Sequence, residues 1–149
     1  MNYDIVDVLK ERHSCRSFAD KPISDELVKN MVWAANTAPY ASGGPRYTIY
    51  YTSEKAEKQS LMDACMGQKY VSEASVAFLF CSDDDNSRLR QGDLKSMFDI
   101  SAACMCMDLY AQSLGYGTCW IGNFVPEQVK TLLKINSRPV IILLVGVKK

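Results

Sequence analysis

Apolar residues recur along this chain in two rhythms, one near every third or fourth position and one almost continuous. Ile5, Val8 and Leu9 fall at helical spacing and predict a first helix over residues 3–12. Lys21-Pro22-Ile23 breaks that pattern. Ser24 is placed to cap a second helix, whose apolar stripe is Leu27, Val28, Met31, Val32 and Ala35. That helix is expected to stop at Pro39, ahead of a tight loop, Ala41-Ser42-Gly43-Gly44-Pro45. Residues 47–52 are β-branched and aromatic and predict a strand, with a helix following over about 54–66.

The second half changes rhythm. Residues 75–81 (SVAFLFC) form a continuous apolar run, the pattern of a strand covered on both faces. Residues 82–92 include Asp83-Asp84-Asp85 and read as a solvated loop. Residues 93–114 predict a long helix, apolar on nearly every side and closed by Gly115. Such a helix is buried all round, in a domain centre or a subunit interface. At about 1.5 Å per residue it would cross the whole domain. A short extended piece at 118–121 precedes a helix opened by Pro126 and running to about Lys134. Residues 139–147 (PVIILLVGV) are the most strand-like run and belong at the centre of the sheet.

Strands and helices do not strictly alternate in this order. The expectation is one layered α+β domain over residues 1–149, with a mixed, mainly antiparallel sheet flanked by helices and a long buried central helix. A doubly wound fold fits less well, and the absence of a G-x-G-x-x-G turn leaves a dinucleotide-binding fold unsupported.

Charge narrows the function classes. Lys plus Arg and Asp plus Glu are balanced at 17 each, which argues against a nucleic-acid partner. No window offers the roughly 18 uncharged apolar residues of a spanning helix; residues 100–114 come nearest and contain Asp108. The first twelve residues carry two Asp and no continuous apolar core, unlike a signal peptide, so a soluble cytoplasmic protein without a membrane partner is expected. The six cysteines form no C-x-x-C pair and His13 is the single histidine, so core thiols are favoured over a metal site.

Three segments could carry chemistry. Arg12-His13-Ser14-Cys15-Arg16 offers two guanidinium groups around a hydroxyl, able to converge on a phosphate dianion or, alternatively, to form a solvated basic turn. Pro39, Tyr40, Ala41, Ser42 and Gly43 lie where paired glycines allow the main chain to approach a flat ligand, or simply connect a helix to a strand. Cys119, Trp120, Ile121 and Gly122 follow Gly115 and Gly117, so their amides could address the polar edge of a ring system; a helix cap with a buried Trp is the plainer reading.

Taken together and in this order, the R-x-S-x-R element, the Ala-Pro loop and the Gly-Thr-Cys-Trp-Ile-Gly strand resemble the nitroreductase superfamily. Pro126-Glu127-Gln128-Val129 and the final strand continue the resemblance over nearly the whole chain. It implies an FMN-dependent homodimer with flavin between the subunits and NAD(P)H as hydride donor. By the same resemblance, Arg12, Ser14 and Arg16 would hold the FMN phosphate and ribityl chain, with His13 contributing through its backbone. Pro39–Gly43 would pass beside the ring from the partner subunit, and Cys119–Gly122 would lie against it. Arg16 is the candidate to stabilise charge on the reduced ring, and no side chain is expected to act as a catalytic acid or base. The implied reaction passes hydride or electrons to a small oxidised acceptor such as a nitroaromatic or quinone; a trimmed flavin-binding protein without efficient turnover is the alternative. The chain departs from the family in its short 82–92 segment, in ending at Lys148-Lys149 directly after the last strand, and in the Ser42-Gly43-Gly44-Pro45-Arg46 loop.

Overall fold

The computed structural model describes residues 4–83 and 86–149. Helix α1 (Ile5–Glu11) begins where the Asp4 carboxylate accepts from the Val6 amide, and α2 (Asp25–Asn36) where the Ser24 hydroxyl accepts from Leu27. The α2 stripe is as expected, with Val28, Met31, Ala34 and Ala35 buried. Helix α1 differs. Only Val8 is buried, whereas Ile5 and Leu9 are 55% and 58% exposed. Its apolar spacing marks a face that this chain leaves uncovered.

Strand β1 (Tyr47–Thr52) leads through α3 (Lys55–Ala64) and a single turn, α4 (Tyr70–Glu73), to β2 (Val76–Ser82). The short α4 has no sequence signature of its own and is absent from the pattern-based reading. All seven residues of β2 are buried, which explains its unbroken apolar run. Helix α5 (Lys95–Ser113), β3 (Gly117–Ile121), α6 (Pro126–Leu133) and β4 (Arg138–Gly146) complete the chain.

The sheet order is β1-β2-β4-β3, and all three ladders are antiparallel. The expected mixed character comes from one isolated parallel bridge, Ser14 with Thr118, which adds the segment after α1 to the β3 edge. Strand β4 pairs on both sides and is central, as its composition requires. Two core layers sandwich the sheet. Met31, Ile100, Met107, Phe78 and Leu143 meet on the α2/α5 face. Leu61, Val71, Val129, Leu79 and Leu144 meet on the α3/α6 face. Each such side chain contributes about 1.5–3 kcal/mol of burial, so both layers are needed for a sheet of only four strands.

Gly117 and Gly146 are cross-strand partners and set how closely the N-terminal segment can approach. A Cβ on Gly117 would lie 2.7 Å from the Cys15 sulfur, and one on Gly146 would lie 2.8 Å from the Phe18 ring. Residues 14–18 therefore lie across a notch that two glycines leave open. Cys15 N–H donates to Thr118 O at 2.7 Å, and Ala19 N–H donates to Val147 O at 2.8 Å, tying that crossing down.

Candidate functional site

The notch brings two of the three sequence segments together. Arg12 is the C-cap of α1, and its guanidinium stands 3.9 Å from the carboxylate of Asp108 on α5. The same carboxylate receives the Trp120 indole N–H at 2.9 Å, the Thr118 hydroxyl at 2.5 Å and the Gln112 amide at 3.0 Å. Asp108 is fully buried. Isolated, such a charge would be very costly; three hydrogen bonds and one guanidinium make it tenable. Arg12 from the first segment and Thr118 and Trp120 from β3 thus share one polar cluster at the α5 flank.

Within that cluster Ser14 is half-buried opposite Thr118, while the Arg12 side chain keeps about a third of its surface exposed, at 34%. Arg16 is exposed and, among the described residues, has no carboxylate within ion-pair distance. His13 is exposed and its Nδ1 meets the Glu11 carbonyl at 2.9 Å, so its ring turns back toward α1. Trp120 is half-buried on the α5 side of the sheet, and Ile121 is buried on the other. Gly122 is exposed, with no atom within 4 Å of where a Cβ would stand, so open space adjoins the end of β3.

The Cys119 side chain joins the core cluster on the α3/α6 side, with Cys15 beside it in the same cluster. Burial raises its thiol pKa, and the Arg16 charge opposes this only in part. The Cys119 thiol is therefore kept in its neutral form rather than poised as a thiolate. Burial pushes Cys65 up to about 11 and Cys81 up to about 12, and it holds Cys104 well above the ordinary range. These three buried thiols are poor candidates for redox chemistry.

The third segment lies elsewhere on the chain. Pro39 and Tyr40 are exposed, and the Ala41 amide donates to the Asp99 carboxylate at 2.7 Å. Arg46 stands 3.9 Å from the other Asp99 oxygen and curls back to the carbonyls of Ser42 (2.8 Å) and Gly44 (3.0 Å). Gly43, at φ +95°, admits that curl: a Cβ there would meet the Arg46 guanidinium at 2.9 Å. Lys95 Nζ reaches the Ser42 hydroxyl at 3.5 Å. The loop is thus an arch tied to the first half of α5, and among the described residues no hydrogen bond or ion pair joins it to residues 12–16.

Asp99, Asp108 and Arg46 escaped the sequence-based choice of site residues. A signal existed, since two carboxylates inside a helix otherwise apolar on all sides must each find a partner. Of the two terminal lysines, Lys149 pairs with Glu73 at 3.7 Å, and the Lys148 stem packs toward Gly117. Asp83 accepts from Thr48 and Ser137, while Asp84 and Asp85 lie outside the described residues. The described residues contain no metal-ligating cluster and no helix long and apolar enough to cross a membrane. A cleft of about 640 Å³ opens between α3 and the chain end, near Lys21, Lys55, Lys58 and Glu73. It includes none of the site residues above. Lys58 Nζ is tied there to the Ala74 carbonyl at 2.5 Å, with its pKa lowered by burial.

An antiparallel sheet between a long buried helix and smaller helices, carrying an R-x-S-x-R segment against its edge strand, defines a nitroreductase-type domain. The model of the family described as "Putative TM nitroreductase" matches residues 4–149, and the chain belongs to that nitroreductase family. It is 25% identical over 149 residues to the FMN reductase (NAD(P)H) of Bacillus subtilis (strain 168), covering 89% of this chain and 60% of that protein. It is 29% identical over 142 residues to the FMN reductase (NADPH) of the same organism, covering 85% of this chain and 57% of that one. The crystal structure of a nitroreductase family protein from Clostridium novyi NT superposes with a TM-score of 0.92 at 24% identity, over 99% of this chain and 86% of that chain. The chain spans about 60% of the length of the curated relatives it matches.

Proposed function

We propose that this chain is a single FMN-binding domain of an NAD(P)H oxidoreductase that passes hydride or electrons to a small oxidised acceptor, such as a nitroaromatic or a quinone. The observation that carries this reading is the join between residues 12–16 and β3. Ser14 bridges Thr118 while Arg12 and Trp120 share the Asp108 carboxylate, so two arginines and a hydroxyl run alongside a strand that opens onto free space at Gly122. A phosphate dianion suits the arginines, and a flat heterocycle suits accessible amides beside open space. The donor set fits FMN. The names of the Bacillus subtilis relatives, both FMN reductases, support the same cofactor and donor.

In this reading Arg12, Ser14 and Arg16 hold the phosphate and ribityl chain, and His13 contributes its main chain because its ring is turned back to Glu11. The amides of Ile121 or Gly122 address the ring, and Arg16 supports negative charge on its pyrimidine edge. When bound, FMN would supply the electron-carrying atoms, and the chain itself needs no acid–base residue. The arch at Pro39–Gly43 covers the ring of the partner subunit's site.

The uncovered faces support a homodimer with FMN at the interface. Phe98 and Met105 on α5 are 51% and 39% exposed, and Trp33 on α2 and Ile5 and Leu9 on α1 add to them. Monomers that stay in solution seldom leave so much apolar surface open. Six free cysteines fit a reducing cytoplasmic setting.

The test is the visible spectrum of purified protein, before and after FMN addition and dialysis, followed by NAD(P)H oxidation assays. Flavin retained near one per subunit, with NAD(P)H oxidised faster than by free FMN, supports the reading. Retained flavin without turnover would identify a flavin-binding protein instead. Protein that ignores FMN overturns it.

A further inference from the structure

We infer that Asp108 is a positioning residue for the phosphate-binding arginine, giving this site its preference for a phosphorylated flavin over an unphosphorylated one. The inference rests on the FMN reading above and deepens it. Asp108 is the only described residue touching three parts of the site together: Arg12 after α1, and both Thr118 and Trp120 on β3.

The chemistry of the cluster is directional. Oδ1 accepts from the Thr118 hydroxyl and the Gln112 amide, and Gln112 also donates to the Thr118 hydroxyl at 2.8 Å. That closed triangle fixes the carboxylate plane. Oδ2 accepts from Trp120 at 2.9 Å and faces the Arg12 guanidinium at 3.9 Å. At that distance the pair is an attraction rather than a tight bidentate bond. Arg12 is held on its inner side by a fully buried charge, while a third of its side chain stays open on the outer side. A guanidinium has five N–H donors in a rigid planar fork, so an attraction that draws one edge toward a buried carboxylate biases the direction of the others. Arg16 has no such carboxylate among the described residues, so Arg12 is the arginine whose direction a buried charge biases.

Because the effect runs through the phosphate, it separates two ligands that share a ring system. Flavin affinity is to be titrated with FMN and with riboflavin, which lacks the phosphate, for the native protein and for Asp108→Asn. The expected result is at least a tenfold loss of FMN affinity, equivalent to about 1.4 kcal/mol, with riboflavin affinity unchanged within twofold. In an Arg12→Ala background the same substitution should leave the FMN-to-riboflavin ratio unchanged, since its route to the phosphate is gone. Thr118→Val keeps the side-chain volume and removes one hydroxyl that fixes the carboxylate. It should show the same selective loss at smaller size, and it carries the test if Asp108→Asn does not fold. Equal losses for both flavins would make Asp108 merely structural and overturn the inference. A gain in FMN affinity would overturn it as well, by making Asp108 a competitor of the phosphate. Native protein that binds riboflavin and FMN equally removes the phosphate preference itself, while protein that binds neither removes the FMN reading and this inference with it.

Discussion

Asp99 and Asp108 are nine residues apart on α5 and leave the helix on opposite flanks. Nine residues make roughly two and a half turns and about 14 Å of rise. One carboxylate holds the Ala41 amide at 2.7 Å and the other holds the Trp120 indole at 2.9 Å. The helix between them presents its sheet side through Ile100, Ala103, Cys104 and Met107, all fully buried, and its outer side through Phe98 and Met105. The segment at Ala41 and the strand at Trp120 are therefore anchored to opposite flanks of one helix. In the homodimer proposed above, a second copy packed across the outer face would bring one copy's arch to the other's residues 12–16.

The Asp99 anchor should be costly to remove. In Asp99→Ala the Ala41 amide loses its acceptor and Arg46, whose side chain is 16% exposed, loses its facing carboxylate. Truncating one member of such a pair costs about 3–5 kcal/mol when fully buried, and somewhat less here. Urea unfolding should register a loss of about 2–4 kcal/mol. Asp99→Asn, which keeps an acceptor for Ala41, should lose less than half of that. Equal losses for the two variants would refute the amide contact as the main contribution.

The glycine notch sets a second expectation. Gly146→Ala would place a methyl group 2.8 Å from the Phe18 ring and 2.9 Å from the Ser75 backbone nitrogen. Phe18 is 1% exposed and has little room to yield. Overpacking of this kind costs about 1–3 kcal/mol. A thermal midpoint unchanged within a degree would show that residues 14–18 do not lie as closely on the sheet as described.

Buried thiols make stability depend on alkaline pH. In the folded chain Cys65 and Cys81 are pushed up to about 11 and about 12, above the usual value of 9.0 in an open chain. Where the unfolded state ionises first, it binds fewer protons than the folded state, and stability falls as pH rises. The thiol contribution is intact below about pH 9 and is lost progressively toward pH 12. Unfolding midpoints in reducing buffer should decline over that window, and Cys81→Ala should decline less steeply than the native chain. Identical slopes would remove Cys81 from the account.

Much of the fold was legible because its signals are local. The Ser24 cap, Pro126 at the first turn of α6 and the unbroken apolar run of β2 each depend on a few neighbouring residues and the physics of one element. Helix α4 left no trace because four residues cannot display a helical period. The site was legible only in part. Arg12 and Ser14 stood out as residue types suited to an anion, and Trp120 only as part of a segment whose amides could address a ring, but their mutual support through Asp108 joins α1, α5 and β3, and no spacing rule spans three elements. The exposed positions on α1 were misleading for a related reason. Apolar spacing reports that a face is covered, not which chain covers it, and Ile5 and Leu9 are open in this one.

That open face gives the last prediction. Phe98, Met105, Ile5 and Leu9 are each more than a third exposed, and Trp33 at 63% stacks edge-on to Tyr110 with ring centroids 6.3 Å apart. If two copies bury this face, Phe98→Asp should break the assembly without disturbing either core layer, because the side chain contributes to neither. Sedimentation of the native protein should give twice the chain mass, and the variant should give the mass of one chain with an unchanged far-ultraviolet spectrum. The separation of the two half-sites adds a second consequence. The monomeric variant keeps Arg12, Ser14 and Arg16 but has no partner arch at Pro39–Gly43, so it should lose FMN at least tenfold more readily than the dimer. A variant that becomes monomeric yet retains FMN as well as the native protein would place the whole flavin site within one chain and refute the shared-site arrangement.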